Sequence, residues 1–104
     1  MTSRELVDVL MEEELASANQ KHPEFFASDH EAYAVIKEEY EEAYDELLRV
    51  QESLSRLWTR VKHDKDIEDA LRGIKNSAYF LTAEAIQIYA MAEKGLRTNA
   101  KISL

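Results

Sequence analysis

Carboxylates dominate the side chains of this sequence that are capable of chemistry. Between positions 29 and 46 the chain carries eight acids (Asp29, Glu31, Glu38, Glu39, Glu41, Glu42, Asp45, Glu46) and a single base, Lys37. Read as a helix at ~100° per residue, the segment from 32 to 61 gathers Ala32, Ile36, Ala43, Leu47, Val50, Leu54, Leu57 and Val61 within about 40° of one direction. Glu39 falls inside that apolar stripe, at about −40° from Ala43, with Glu46 at about −60°, Glu42 at about −100° and Glu38 at about −140°. A carboxylate turned toward a core is costly unless it is paired, hydrogen-bonded or bound to a metal. One reading is that Glu39 snorkels or pairs with a base from another helix, but bases are scarce nearby. A second acid in apolar surroundings is Glu84, in a stretch from Ala78 to Ala92 that only Thr82, Glu84 and Gln87 interrupt. Glu39, Glu42 and Glu84 could satisfy one another through shared protons or a shared cation. Hard divalent cations such as Mg²⁺ or Mn²⁺ take oxygen ligands, and facing helices of a bundle can supply them.

Other chemistry is sparse. The chain has no cysteine, which excludes disulfides, thiolate metal sites and a cysteine nucleophile. His22, His30 and His63 lack metal-ligand spacing and read as surface or capping residues. His30 alone, beside unpaired amides at a helix N-terminus, is a candidate phosphate contact. Tyr33, Tyr40, Tyr44, Trp58, Tyr79 and Tyr89 read as core or interface, and Phe25-Phe26 as a staple between helices. Arg56, Arg60, Lys62, Lys65, Arg72 and Lys75 gather around one turn and read as a solvated, salt-bridged end that could approach the acidic helix of another subunit. The acids of Glu12-Glu13-Glu14 read as a solvated face. No phosphate-binding glycine loop or dinucleotide fingerprint is present.

The elements that must position the carboxylates are helices. Two glycines and one proline in 104 residues leave little turn chemistry for a sheet. Thr2-Ser3-Arg4-Glu5 and Ser28-Asp29-His30-Glu31 both have the S/T-x-x-E form of a capping box. The first helix is expected from about Thr2 to His22, ended by Pro23. The second is expected from about Ser28 to Lys62 and the third from about Asp66 to Arg97, with a kink at Gly73 and a frayed tail over 98–104. The fold class is therefore all-α, one domain over 1–104, with three main helices. The apolar spacing of the third helix calls for cover on several sides, so a bundle completed by self-association, as a homodimer or homotetramer, is expected.

Thirteen bases against twenty-one acids give a net charge of −8 and a pI near 4.8, which disfavours nucleic acid polymers and anionic membranes as partners. No apolar run approaches the ~18 residues of a membrane span, and a cytoplasmic protein is expected.

The segment His30-Glu31-Ala32-Tyr33-Ala34-Val35-Ile36-Lys37-Glu38-Glu39-Tyr40-Glu41-Glu42 resembles the E-E-x-x-E helix of the MazG-like, all-α nucleoside triphosphate pyrophosphohydrolases. It is most similar to their small phage and Firmicutes branch, where an H-E-x-Y-A-V segment leads into the acids. Glu84-Ala85-Ile86-Gln87-Ile88-Tyr89-Ala90-Met91-Ala92 resembles the second motif helix, which in the wider family reads E-x-x-D. The resemblance implies Mg²⁺ (or Mn²⁺) held by Glu39, Glu42 and Glu84, with Glu38 as a further ligand or as the base that orients water. It implies a nucleoside triphosphate substrate cleaved between its α- and β-phosphates to give a monophosphate and pyrophosphate. Two departures stand out. Gln87 replaces the last acid, and the stretch between the motifs is longer than in the family's core pattern. Gln87 projects about 200° from Ala85 and on a straight helix is read as turned away from Glu84. A relative that keeps the fold without turnover, a phage-derived helical interaction protein, is the alternative that Gln87 favours.

Overall fold

The computed structural model describes residues 1–103 and consists of three α-helices: α1 (Ser3–Lys21), α2 (Asp29–Lys62) and α3 (Glu68–Ser103). The all-α expectation holds. Among the described residues no helix is long and apolar enough to cross a membrane.

Local chemistry sets the helix starts. The Thr2 hydroxyl accepts from the Glu5 N–H at 3.1 Å, and the Glu5 carboxylate accepts in return from the Thr2 N–H at 3.4 Å. At α2 the Ser28 hydroxyl accepts from the Glu31 N–H at 3.1 Å. The Glu31 carboxylate reaches past Ser28 and accepts from the Ala27 N–H at 3.3 Å, so this box is offset by one residue. His22, extended before Pro23, closes α1. The turn after α2 passes through Asp64 at φ 50°, a left-handed conformation that aspartate tolerates.

The two long helices fold back on each other along a seven-residue repeat. From α2 the inward line is Glu39, Ala43, Glu46, Val50, Ser53 and Leu57; from α3 it is Ala70, Ile74, Ser77, Leu81, Glu84, Ile88 and Met91. Steps alternating between four and three residues keep such a seam facing its partner. This line differs from the expected apolar stripe. Leu47, Leu54 and Val61 are about half exposed, and the neighbouring Glu46 and Ser53 take the inward positions. The reason is close approach. A Cβ on Gly73 would lie 2.7 Å from the Ser53 hydroxyl, so a glycine on α3 and a serine on α2 draw the backbones together where two leucines would hold them apart. α3 runs as one helix through Gly73, whose missing side chain serves this close approach.

The tail also departs from expectation. Residues 98–103 continue α3 because the α1–α2 connection clamps them. The Phe26 N–H donates to the Thr98 hydroxyl at 3.0 Å, and the Lys101 ammonium sits 4.4 Å from the Phe25 ring centroid. The hydrophobic core lies at this end, with Met11 and Leu15 of α1 against Phe26, Ala90 and Met91. Tyr89 donates to Asp8 at 2.6 Å and Arg97 to Glu12 at 2.5 Å, which further tie α1 to α3.

Toward the 63–67 turn, Leu47, Leu54, Trp58, Val61 and Leu71 stand exposed. The radius of gyration is 17.9 Å, against about 13 Å for a compact domain of this length. The hairpin projects well beyond the core.

Candidate functional site

The α2–α3 seam carries its acids at the core end. Glu39 and Glu42, three residues apart and so on adjoining faces of α2, meet Glu84 on α3. One oxygen from each of the three carboxylates lies within 4.8 Å of the others. Glu39 and Glu84 are half-buried, and Glu42 is exposed.

No base pairs with these carboxylates among the described residues. Lys37, the one local base, faces Glu41 at 3.9 Å, and Glu46 is taken by Arg49 one turn on. The reading in which Glu39 forms a structural ion pair thus lacks its partner. What the carboxylates do receive is the Gln87 amide. Its neighbours are both acceptors, so the NH₂ group faces them and donates to Glu84 Oε2 at 3.0 Å and to Glu39. Gln87 therefore belongs to the cluster. The separation that matters is from Glu84, three residues and about 60° around the helix, rather than from Ala85.

Burial, hydrogen bonding among the carboxylates and, after these, their like charges raise the proton affinity of all three acids. Burial is the main cause at Glu39, joined by the negative charges of Glu42, Glu38 and Glu14, while a hydrogen bond with Glu84 opposes it. At Glu42 the hydrogen bond with Glu84 is the main cause, ahead of burial and of the charges of Glu84 and Glu38. Glu84 is raised chiefly by burial, with a hydrogen bond from Glu42 opposing and Glu39 reinforcing the shift. Each of the three acids thus holds its proton to higher pH than a free glutamate does, and a divalent cation bound there would compete with those protons. Three hard oxygen donors with no competing base suit Mg²⁺ or Mn²⁺.

Glu38 is exposed and lines a cleft of about 670 Å³ beside the cluster, together with Glu39 and Gln87. It stands outside the group of three whose oxygens converge. His30 is exposed in the first turn of α2 and is not part of the cleft wall, whereas His22, assigned to the surface, is part of it. The sequence reading missed Lys94. It lines the same cleft, seven residues beyond Gln87 and so on the same face of α3, a spacing that would have found it.

No family model matches the chain, and no curated protein or solved structure matches it either.

Proposed function

We propose that the protein is a Mg²⁺-dependent nucleoside triphosphate pyrophosphohydrolase of the MazG-like kind, acting in the cytoplasm. The observation that carries this reading is the convergence of Glu39, Glu42 and Glu84 from facing helices, without a base, beside a ligand-sized cleft that Glu39 lines. These three carboxylates would hold the ion. Once bound, Mg²⁺ (or Mn²⁺) would neutralise phosphate charge and favour attack by water. Glu38, at the rim of the cleft, orients that water and takes up its proton. Gln87 contributes an amide that steadies the carboxylates before metal arrives. The test is release of pyrophosphate from a panel of nucleoside triphosphates with magnesium, manganese or chelator. Release that needs the metal and disappears in Glu84→Ala supports the reading.

A second reading is a non-catalytic interaction protein. The Gln87 amide favours it, because its two hydrogen bonds satisfy the cluster without any cation. Neither pyrophosphate release nor a magnesium-induced thermal shift would select this reading.

We also propose that a second copy of the chain completes the bundle. The exposed row Leu47, Leu54, Val61 on α2 and the row Leu71, Ala78, Ala85, Ala92 on α3 each follow the inward positions by one residue. In an antiparallel helix pair such rows flank the same side of the seam. Charge complementarity favours a two-fold mate. Its base-rich turn, with Arg56, Arg60, Lys62, Lys65, Arg72 and Lys75, would lie against the acid-rich 29–46 segment. Sedimentation at micromolar concentration should give twice the chain mass, and Leu54→Glu should halve it. A parent that sediments as a monomer would overturn this arrangement.

A further inference from the structure

The cleft beside the carboxylates has a mixed lining, in which the acids Glu14, Glu31, Glu38 and Glu39 and the amide of Gln87 share the wall with Lys21, His22 and Lys94. Lys94 is the unusual member. It is only 6% exposed, in a chain of net charge −8, yet no carboxylate pairs with it among the described residues. Its ammonium lies 4.5 Å from the ring centroid of Phe26, a buried residue of the 22–28 connection. No buried side-chain nitrogen or oxygen among the described residues lacks a hydrogen-bond partner. The covered stem of Lys94 therefore brings its charged head to the cleft surface, where three N–H donors exceed what one ring face can satisfy. The donors left over are available to the cleft. Gln87 and Lys94 are two helical turns apart, about 10 Å along α3.

We infer that Lys94 is a recognition group that fixes an oxygen acceptor at the end of the ligand remote from the carboxylates, and that this acceptor is the keto oxygen of a nucleobase. The inference rests on the proposed function, which places the metal and phosphates at Glu39, Glu42 and Glu84 and leaves the base farther along the cleft. A guanine edge presents O6 and N7 as two adjacent acceptors, whereas adenine keeps N7 but sets an amino donor, which an ammonium cannot bond, in the place of O6. Lys94 thereby selects keto purines over amino purines. The oxygen could alternatively come from a phosphate, and the choice of ligands separates the two.

Lys94→Met keeps the aliphatic stem and removes the charge. Its melting temperature in chelator should stay close to the parent's, because the stem that packs against Phe26 is kept, and this also shows that the variant folds. Its thermal shift with magnesium alone should match the parent's. By calorimetry with magnesium, GTP should bind at least tenfold more weakly than to the parent, while ATP and inorganic tripolyphosphate change less than threefold. An equal loss for all three ligands would assign the oxygen to a phosphate and overturn the keto reading. Unchanged affinity for all three, or no binding of GTP by the parent, would overturn the role of Lys94 altogether. If magnesium has no effect on the parent but Lys94→Met still weakens GTP in chelator, the recognition role stands and the metal reading falls.

Discussion

Glu39→Gln should raise the melting temperature of the metal-free protein and abolish its response to magnesium. The two effects have one origin. In the apo state Glu39 is half-buried and crowded by Glu42, Glu38 and Glu14, and its proton affinity is raised above the ordinary 4.5. A carboxyl raised in the folded state costs nothing while it is protonated in both states. It destabilises the fold as pH climbs from the unfolded value through the folded one. The stability gap between Glu39→Gln and the parent should therefore vanish below about pH 4.5 and open toward neutrality. Removing one like charge at about 4 Å is worth on the order of 1 kcal/mol even when fully screened as in bulk water, and each such kcal/mol raises the melting temperature by about 4–8 °C in a domain of this size. Excess magnesium should erase the gap by stabilising only the parent, and turnover should fall by at least roughly 100-fold with the lost ligand. Thermal melts across pH, with chelator and with magnesium, check this. A variant less stable than the parent in chelator would assign Glu39 a structural bond instead.

Gln87→Asp should move stability the other way. The amide now donates to Glu84 and to Glu39. Aspartate removes both donors and adds a fourth negative charge, so the apo protein should lose about 2 kcal/mol. The added charge attracts a divalent cation, and Mg²⁺ affinity should rise at least tenfold, about 1.4 kcal/mol. The melting temperature should then fall in chelator and recover with magnesium. Pyrophosphate release should become less dependent on high magnesium concentration. No magnesium response in the variant, and no turnover in either protein, would favour the interaction-protein reading.

Features set by near neighbours were legible in the sequence. Thr2, Ser28 and Pro23 act within one turn, and they placed the helix ends to within a residue or two. The carboxylate trio was legible for a related reason, because acids on an apolar stripe without bases leave few ways to be satisfied. The seam was less so. Hydrophobicity puts Leu47 and Leu54 inward, but the approach of Gly73 to Ser53, twenty residues away in sequence, turns the helix by one position. The tail depends on a bond between Phe26 and Thr98, 72 residues apart, which no local pattern encodes. Lys94 was hidden for the same reason. Beside Glu93 and Arg97 it reads as part of a solvated helix until the 22–28 connection folds over it.

The projecting hairpin also carries its own reporter. Trp58, the only tryptophan of the chain, is 60% exposed, with the Lys62 ammonium 5.6 Å from its ring centroid. It lies sixteen residues beyond Glu42, about 24 Å along α2. Intrinsic fluorescence excited at the indole therefore originates far from the carboxylates and within the region a second copy would cover. A blue shift with rising protein concentration would follow assembly alone, while titration with nucleotide or metal would leave the emission colour unchanged. One chromophore thus allows subunit association to be tracked separately from occupancy of the cleft, without any added label.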